Sequence, residues 1–135
     1  MKLDRKYILP KGCPQPVSYY SHGIHLGNIL YSAGQTSRDP SGQLVGVGDL
    51  QKQANQAFQN LKLVLADAGM DFYDVVRLNI FLKTKNDLPK IVTTMKEYFN
   101  GHNPALTIAV VKGLAYQEYL LEVEAIAIKE EKIYE

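Results

Sequence analysis

Apolar residues recur along this chain with two different periods, and the helical period is the clearer one. It is carried by Leu50, Ala54, Ala57, Leu61, Val64, Leu65 and Ala68. Asp49 is a good N-cap and Gly69 stands where a C′ glycine belongs, so the pattern predicts a helix over residues 50–68. A second helix is predicted to open at 86–89 and to end at Gly101. Its core stripe consists of Ile91, Met95, Tyr98 and Phe99.

The β-compatible runs are shorter and are bounded by turn residues. A Gly27-Asn28 step separates residues 17–26 from 29–33, which predicts a β-hairpin. The other predicted strands are 7–9, 75–82, 106–111 and 121–127. The element order is therefore β-β-β-α-β-α-β-β, with six strands and two helices. A loop over 112–119 leads into the last strand.

Two helices can cover only one face of a six-stranded sheet, yet two of the predicted strands carry apolar residues on both faces. The residues concerned are Val76, Leu78, Ile80, Leu82, Ile108 and Val110. Leaving each such side chain in water would forfeit about 1.5–3 kcal/mol. A large uncovered apolar face is typical of an association surface. The pattern therefore predicts an oligomer with ligand pockets between its subunits.

The last strand places two carboxylates on one face. Strict alternation puts Glu122 and Glu124 on the same side, roughly 7 Å apart, among apolar neighbours. A buried carboxylate without a partner shifts its pKa towards the neutral form. Two interpretations follow. Either this is a rim strand whose glutamates reach water, or it is the floor of a pocket at a protein–protein seam.

Composition describes an ordinary globular domain spanning residues 1–135, with a charged tail over 129–135. The net charge of +1 predicts neither nucleic-acid nor anionic-membrane binding. A single cysteine, Cys13, excludes an internal disulfide and fits a reducing compartment. No segment has the apolar core of a signal peptide or the length of a membrane span. We expect a cytoplasmic protein.

Familiar catalytic patterns are missing from the sequence. His22, His25 and His102 lack ligand partners at metal-binding spacing, so no metal is expected. No glycine-rich phosphate loop occurs, and Cys13 lies among prolines rather than beside a base. The amides of the first helix are expected mostly on its solvent-exposed face, without a catalytic role. They are Gln51, Gln53, Asn55, Gln56, Gln59 and Asn60.

Several runs, in their joint order and spacing over about residues 14–128, resemble the RidA (YjgF) family. The runs are Tyr20-Ser21-His22-Gly23, Leu26-Gly27-Asn28, Ser32-Ala33-Gly34-Gln35, Gln53, Asn60-Leu61, Ala68-Gly69, Asp74-Val75-Val76, Phe99, Pro104-Ala105 and 122–127. The resemblance implies a chorismate-mutase-like α+β fold, with a mainly antiparallel six-stranded sheet and two helices on one face. It further implies a homotrimer with a small-molecule ligand in each inter-subunit cleft. The implied activity is cofactor-free hydrolysis of reactive enamines and imines to keto acids and ammonia.

The resemblance also implies roles for individual residues. Glu122 stands where the family glutamate helps to place the attacking water, and Tyr20 matches the pocket tyrosine. Gly34 matches the glycine whose backbone faces the ligand. The substrate-binding positions correspond here to Ala33, Gly34, Val92, Leu106, Thr107 and Ile108.

The sequence departs from the family pattern at several of these positions. Where the family's Pro-Ala-Arg arginine holds the substrate carboxylate, this chain has Leu106. Ile108, Ala33 and Val92 replace a cysteine, a serine or threonine, and an asparagine. A desolvated carboxylate without a cation is strongly disfavoured, so these changes predict an apolar pocket unsuited to free 2-imino acids.

Two functions remain open on this basis. The first is a cofactor-independent imine deaminase in which Glu122 and Tyr20 act on a substrate without the adjacent carboxylate. The second is a non-catalytic metabolite-binding or regulatory trimer that kept the cleft and lost the chemistry. RNA cleavage, an activity attached to relatives of the family, is disfavoured by the absence of a basic stripe.

Overall fold

The computed structural model describes residues 4–16 and 19–131, which form a six-stranded sheet with two helices. The strands are β1 (Arg5–Ile8), β2 (Gly23–Leu26), β3 (Ile29–Ser32), β4 (Val75–Leu82), β5 (Ala105–Val110) and β6 (Leu121–Ile128). The helices are α1 (Leu50–Asp67) and α2 (Leu88–Phe99), and single 3₁₀ turns precede β4 and α2. The predicted element order and α+β class are confirmed. Residues 19–22 of the first predicted hairpin strand are not strand, and its residues 17–18 lie outside the described residues.

Strand order in the sheet is β1-β2-β3-β6-β4-β5. All neighbouring strands are antiparallel except β4 and β5, which α2 connects as a crossover. The last strand of the sequence, β6, therefore lies in the middle of the sheet between β3 and β4. Its residues are alternately buried and half-buried, because the helices cover only one face of the sheet.

The ends of α1 follow the sequence signals. The Asp49 side chain accepts a hydrogen bond from the Lys52 N–H as N-cap, and Gly69 adopts a φ of 73° just beyond the helix. Residues Ala54, Ala57, Phe58, Leu61, Val64 and Leu65 are all fully buried. They pack on one face of the sheet, against alternate residues of β6 such as Val123.

The prediction of a solvent-exposed amide face on α1 is wrong at two positions. Gln53 and Asn60 are 0% and 1% exposed. Both lie on the buried side of the helix, where two loops cover it. A buried amide is tolerated there because loop backbone groups satisfy its hydrogen bonds.

The predicted membership of the uncovered sheet face also needs correction. Leu78, Ile80 and Leu82 are 0% exposed within one chain, because they point towards the helices. An irregularity between Val75 and Arg77 shifts the register, and Val76 is left 42% exposed. The apolar side chains on the helix-free face are instead Ile24, Leu26, Ile29, Tyr31, Phe81, Ile126 and Ile128, by their pairing with one another and with β6. Ile108 and Val110 pair with Ile80 and Leu82 and therefore also point to the helix side. The helix-free face does carry a row of apolar side chains, but different ones from those predicted.

Candidate functional site

The site begins where β3 and β6 separate. Their regular pairing ends at Tyr31 and Ile126, and one isolated bridge joins Gln35 to Val123 further along. Residues 32–34 therefore lie opposite 124–125, so the β3 side has one residue more, as in a β-bulge. The Ser32 hydroxyl fills the gap by accepting a hydrogen bond from the Ala125 N–H at 2.8 Å. The bulge carries Ala33 and Gly34 over the start of β6.

Gly34 and Glu122 come into direct contact at this bulge. A Cβ built on Gly34 would lie 2.7 Å from Cδ and 2.9 Å from Cγ of Glu122, closer than real Cβ contacts allow. The Glu122 carboxyl therefore lies against the backbone of Gly34, in the space that any other residue would fill. Glycine is required here by close approach of the carboxyl group.

A cleft of about 640 Å³ opens above this contact. Four of the predicted site residues line it, namely Glu122, Tyr20, Ala33 and Gly34. The other lining residues are Pro14, Gln15, Tyr19, His22, Gln35, Thr36, Arg38, Gly42, Asn60, Ala115, Tyr116 and Tyr119. Its walls are thus the segment before β2, the loop that follows β3 and the loop between β5 and β6.

The carboxyl at the cleft floor is electrostatically unusual. Burial, followed by the neighbouring Glu124 carboxylate, raises the pKa of Glu122 above its usual range. Glu124 itself accepts a hydrogen bond from the Asn79 side chain at 3.3 Å. Burial, with Tyr119 next in effect, also raises the pKa of the Tyr20 hydroxyl, which therefore stays protonated at neutral pH. Glu122 therefore lines a cleft of its own chain, and the protein–protein seam of the pocket-floor interpretation stays a prediction.

His22 and Gln35 buttress the wall beside Gly34. His22 is 3% exposed, and its Nε2 lies 2.6 Å from the Pro14 carbonyl oxygen. Because a carbonyl only accepts, Nε2 carries the proton and Nδ1 accepts from the Gln35 amide at 3.3 Å. Both ring nitrogens are thus engaged by protein groups, and the ring has a structural role. It ties the segment before β2 to the residue that follows Gly34.

Two amides of α1 hold the loops that form the cleft walls. Asn60 donates to the carbonyl oxygens of Thr36 and Arg38, at 2.9 and 2.8 Å. Gln53 donates to the carbonyl oxygens of Gly46 and Glu118, at 3.1 and 2.9 Å. Its Oε1 accepts from the Leu120 N–H. One buried side chain thus joins the loop after β3 to the loop before β6.

Arg38 is a cleft residue that the sequence analysis did not identify. Its Nε donates to the Tyr119 hydroxyl at 2.8 Å, and its Nη1 donates to the Gly42 carbonyl at 3.0 Å. The guanidinium carbon lies 4.9 Å and 5.2 Å from the ring centroids of Tyr116 and Tyr119. No local pattern marks this arginine, because Tyr119, which accepts its hydrogen bond and contacts it with its ring, is 81 residues away along the chain.

Four of the predicted substrate-binding residues do not line this cleft. Val92 lies half-buried on α2 against the core, and Leu106, Thr107 and Ile108 lie on β5. The strand order places β6 and β4 between β5 and β3, so these residues cannot reach the cleft of their own chain. The cleft of a single chain therefore lacks the predicted apolar lining. It is lined by amides, tyrosines, a carboxyl group and an arginine, among others.

Among residues 4–16 and 19–131, no three His, Cys, Asp or Glu side chains come together as a metal-binding group. In the same residues, none of the helices combines the length and the apolar character needed to cross a membrane.

Comparison with known proteins agrees with this architecture. The family model described as Endoribonuclease L-PSP matches residues 11–129. A RutC family protein of Pyrococcus abyssi is 35% identical over 128 residues, covering 95% of this chain and 100% of that protein. The 2-iminobutanoate/2-iminopropanoate deaminase of Rattus norvegicus is 36% identical, over 94% of this chain and 92% of that enzyme.

A solved structure of the Rid family shows the same fold. YyfA of Yersinia pestis superimposes with a TM-score of 0.88 at 31% identity, covering 93% of this chain and 100% of that one. The residues that the family model matches, 11–129, include β2 to β6, both helices and the residues around Gly34 and Glu122. The chain therefore belongs to the Endoribonuclease L-PSP family, which is the RidA (YjgF) family that its sequence resembles.

Proposed function

We propose that this protein hydrolyses reactive imines or enamines to a carbonyl compound and ammonia. The observation that carries the proposal is the Glu122 carboxyl, held against Gly34 at the floor of a cleft and raised in pKa by burial. A carboxyl whose pKa is shifted towards neutrality can both accept and return a proton at working pH. The name of the rat relative, an imine deaminase, supports the same reaction class.

Glu122 is the general base and then the general acid in this proposal. Its carboxylate takes a proton from water as the water oxygen bonds to the imine carbon, and the C=N π electrons move to nitrogen, which takes up a proton from solvent. The resulting carbinolamine then collapses. Glu122 returns its proton to nitrogen, the C–N bond breaks to release ammonia, and the hydroxyl loses its proton to solvent as C=O forms, so that no net proton is consumed. In this proposal the Tyr20 hydroxyl, which is protonated at neutral pH and lines the same cleft, donates a hydrogen bond to the substrate.

The complete site in this proposal lies between subunits of a homotrimer. The helix-free sheet face carries apolar side chains that a single chain leaves accessible, including Tyr31 at 49% exposure. Packing three such faces together in a closed ring would bury them. β5 is an edge strand on which Thr107 shares the helix-free face with Asn79, while Leu106 and Ile108 point to the other face. In the proposal this edge completes the cleft of a neighbouring subunit, which is the role that the family resemblance implies for these three residues.

The proposed substrate does not carry a carboxylate on the imine carbon. In the family pattern that carboxylate is held by an arginine at the position of Leu106. A leucine offers no donor, and an anion desolvated against it is strongly disfavoured. We expect little acceleration of free 2-imino acid hydrolysis.

Ammonia release tests both parts of this proposal. Freshly generated imines with and without an adjacent carboxylate are supplied to the wild-type protein and to Glu122→Gln. We expect turnover of imines that lack the carboxylate, and its loss in Glu122→Gln. Robust turnover of iminopyruvate would defeat the substrate proposal. Turnover that survives Glu122→Gln would defeat the assignment of Glu122.

The second candidate is a non-catalytic metabolite-binding trimer. It is favoured by the same replacements, Leu106, Ile108, Ala33 and Val92, since they remove groups that the family uses on its substrates. This function predicts ligand binding in the cleft with no imine turnover across the panel. Any Glu122-dependent turnover eliminates it.

RNA cleavage, which the family description names, is not part of the proposal. A net charge of +1 supplies little of the counterion release that drives RNA binding. Binding of single-stranded RNA with a steep dependence on salt would contradict this view.

A further inference from the structure

The cleft contains a positive charge that the proposed reaction does not use. Arg38 is half-buried in the cleft wall, and its backbone carbonyl is fixed by the Asn60 amide. Among the described residues one ion pair is present, between Lys129 and Asp74. Arg38 therefore has no carboxylate partner within these residues. A partly desolvated guanidinium without a counter-ion is a strong attractor for an anion.

The orientation of Arg38 is fixed before any ligand arrives. Tyr119 and Gly42 accept from its Nε and Nη1, and the rings of Tyr116 and Tyr119, 5.1 Å apart, both lie on one side of the guanidinium carbon. These two hydrogen bonds use N–H groups of Nε and Nη1, whereas Nη2 makes no hydrogen bond to the described residues. A planar guanidinium with a free edge suits a bidentate carboxylate. Holding the group rigid lowers the entropy lost on binding.

Arg38 and Glu122 belong to different parts of the cleft. Glu122 lies on the floor against Gly34, whereas the Arg38 guanidinium is held in the wall by Tyr119 and Gly42. The two groups form no ion pair within 4.0 Å. The raised pKa of Glu122 agrees with this separation, because a guanidinium close to a carboxyl group lowers its pKa. A ligand whose reacting carbon faces Glu122 would therefore present a distant part of itself to Arg38.

We propose that Arg38 is an anion-binding residue of the cleft, and that it selects carbonyl compounds and imines whose carboxylate is separated from the reacting carbon. This proposal rests on the proposed function for the position of the reacting carbon. It names the substrate class: oxo acids and imino acids with a remote carboxylate, rather than 2-imino acids. The tyrosine rings around Arg38 favour a flat or apolar linker between the two ends.

Binding of two isomeric stable probes tests the proposal without any turnover. The probes are 4-oxopentanoate, with a remote carboxylate, and 2-oxopentanoate, with an adjacent one; pentan-2-one is the neutral reference. Affinities are measured by calorimetry or by ligand-observed NMR on the wild-type protein. We expect 4-oxopentanoate to bind about tenfold or more tightly than either of the others.

Variants assign the effect to Arg38. Arg38→Gln should reduce the affinity for 4-oxopentanoate to that of pentan-2-one. Arg38→Lys keeps the positive charge but loses the paired donors of the planar guanidinium, so its affinity for 4-oxopentanoate should lie between those of the wild type and Arg38→Gln. Arg5→Gln removes the same charge from an exposed position on β1 and should bind like the wild type. Circular dichroism and melting temperature verify that each variant is folded.

Two results would overturn the proposal. One is equal binding of 4-oxopentanoate by folded Arg38→Gln and wild type. The other is tighter binding of 2-oxopentanoate than of 4-oxopentanoate, which would place the carboxylate subsite beside the reacting carbon. Because none of these measurements requires catalysis, an absence of imine turnover would overturn the proposed function while leaving the Arg38 result to be judged separately.

Discussion

The carboxyl group of Glu122 occupies the space that a side chain at Gly34 would need. A Cβ on residue 34 would approach Cδ of Glu122 to 2.7 Å. The two residues are 88 positions apart in sequence and meet because a bulge separates β3 from β6. The position of the proposed catalytic carboxyl thus depends on the absence of one side chain.

The first prediction concerns Gly34→Ala. The atoms in its way belong to the flexible end of Glu122, so we expect the carboxyl to swing aside, with a loss of about 1 kcal/mol of stability. Displacing the carboxyl by about 1 Å should lower imine turnover by roughly 100-fold. Ammonia release and thermal melting measure the two effects. Gly69→Ala is the control, because its φ of 73° gives strain without a collision and it lies outside the cleft. Equal activity losses in the two variants would contradict the argument.

The second prediction concerns the pH dependence of stability through Glu122. Its pKa is raised in the folded protein, from an ordinary value of 4.5, so the folded state binds this proton more tightly than the unfolded state. Stability from this group is present below pH 4.5 and is lost as pH rises through the folded pKa. In Glu122→Gln the melting temperature should fall less as pH rises, and the variant should be at least as stable as the wild type at pH 7–8. Melting curves from pH 4 to pH 8 test this, and a variant less stable at pH 8 would contradict it.

The third prediction concerns the buried amide that joins the two cleft loops. Gln53→Ala leaves the Gly46 and Glu118 carbonyls and the Leu120 N–H without their partner. We expect a loss of about 3 kcal/mol in the free energy of unfolding. Asn55→Ala, an exposed amide on the same helix, should change it by less than about 0.5 kcal/mol. Urea denaturation distinguishes the two, and similar midpoints would show that Gln53 does not clamp the loops.

The fourth prediction concerns the thiol of Cys13. The residue is 2% exposed, and burial, with Asp67 adding to it, raises its pKa to about 11. At pH 8 only about one thiol in a thousand is ionised, and it is inaccessible. We expect no alkylation by iodoacetamide in the native protein and complete alkylation in urea, as measured by mass spectrometry. Rapid labelling of the native protein would show that the segment before β2 opens readily.

The fifth prediction is the assembly. We expect a homotrimer of about three times 15.1 kDa that dissociates only on unfolding. Ile126→Glu places a charge on the helix-free face and should yield monomer or aggregate. Ala66→Glu, exposed on α1 on the other side of the sheet, should remain trimeric. Sedimentation that finds a stable wild-type monomer at micromolar concentration would defeat both the assembly and the inter-subunit site.

The sequence by itself determined the elements and their order. Apolar periodicity, the Asp49 cap, Gly69 and the Gly27-Asn28 turn are local signals, because capping and turn formation depend on residues a few positions apart. The alternation of β6 likewise predicted that Glu122 and Glu124 share a face. The resemblance to the RidA family singled out Tyr20, Ala33 and Gly34, which the structure places with Glu122.

Tertiary structure alone decided which side of each element is covered and which distant residues meet. Periodicity could not show that Gln53 and Asn60 are buried, since loops rather than strands cover that side of α1. Nor could it show that Leu78, Ile80 and Leu82 face the helices, because one register shift at Val76 fixes the facing of β4. Arg38 meets Tyr119 only through folded loops. Contacts across such separations depend on strand order and register, which no short stretch of sequence encodes.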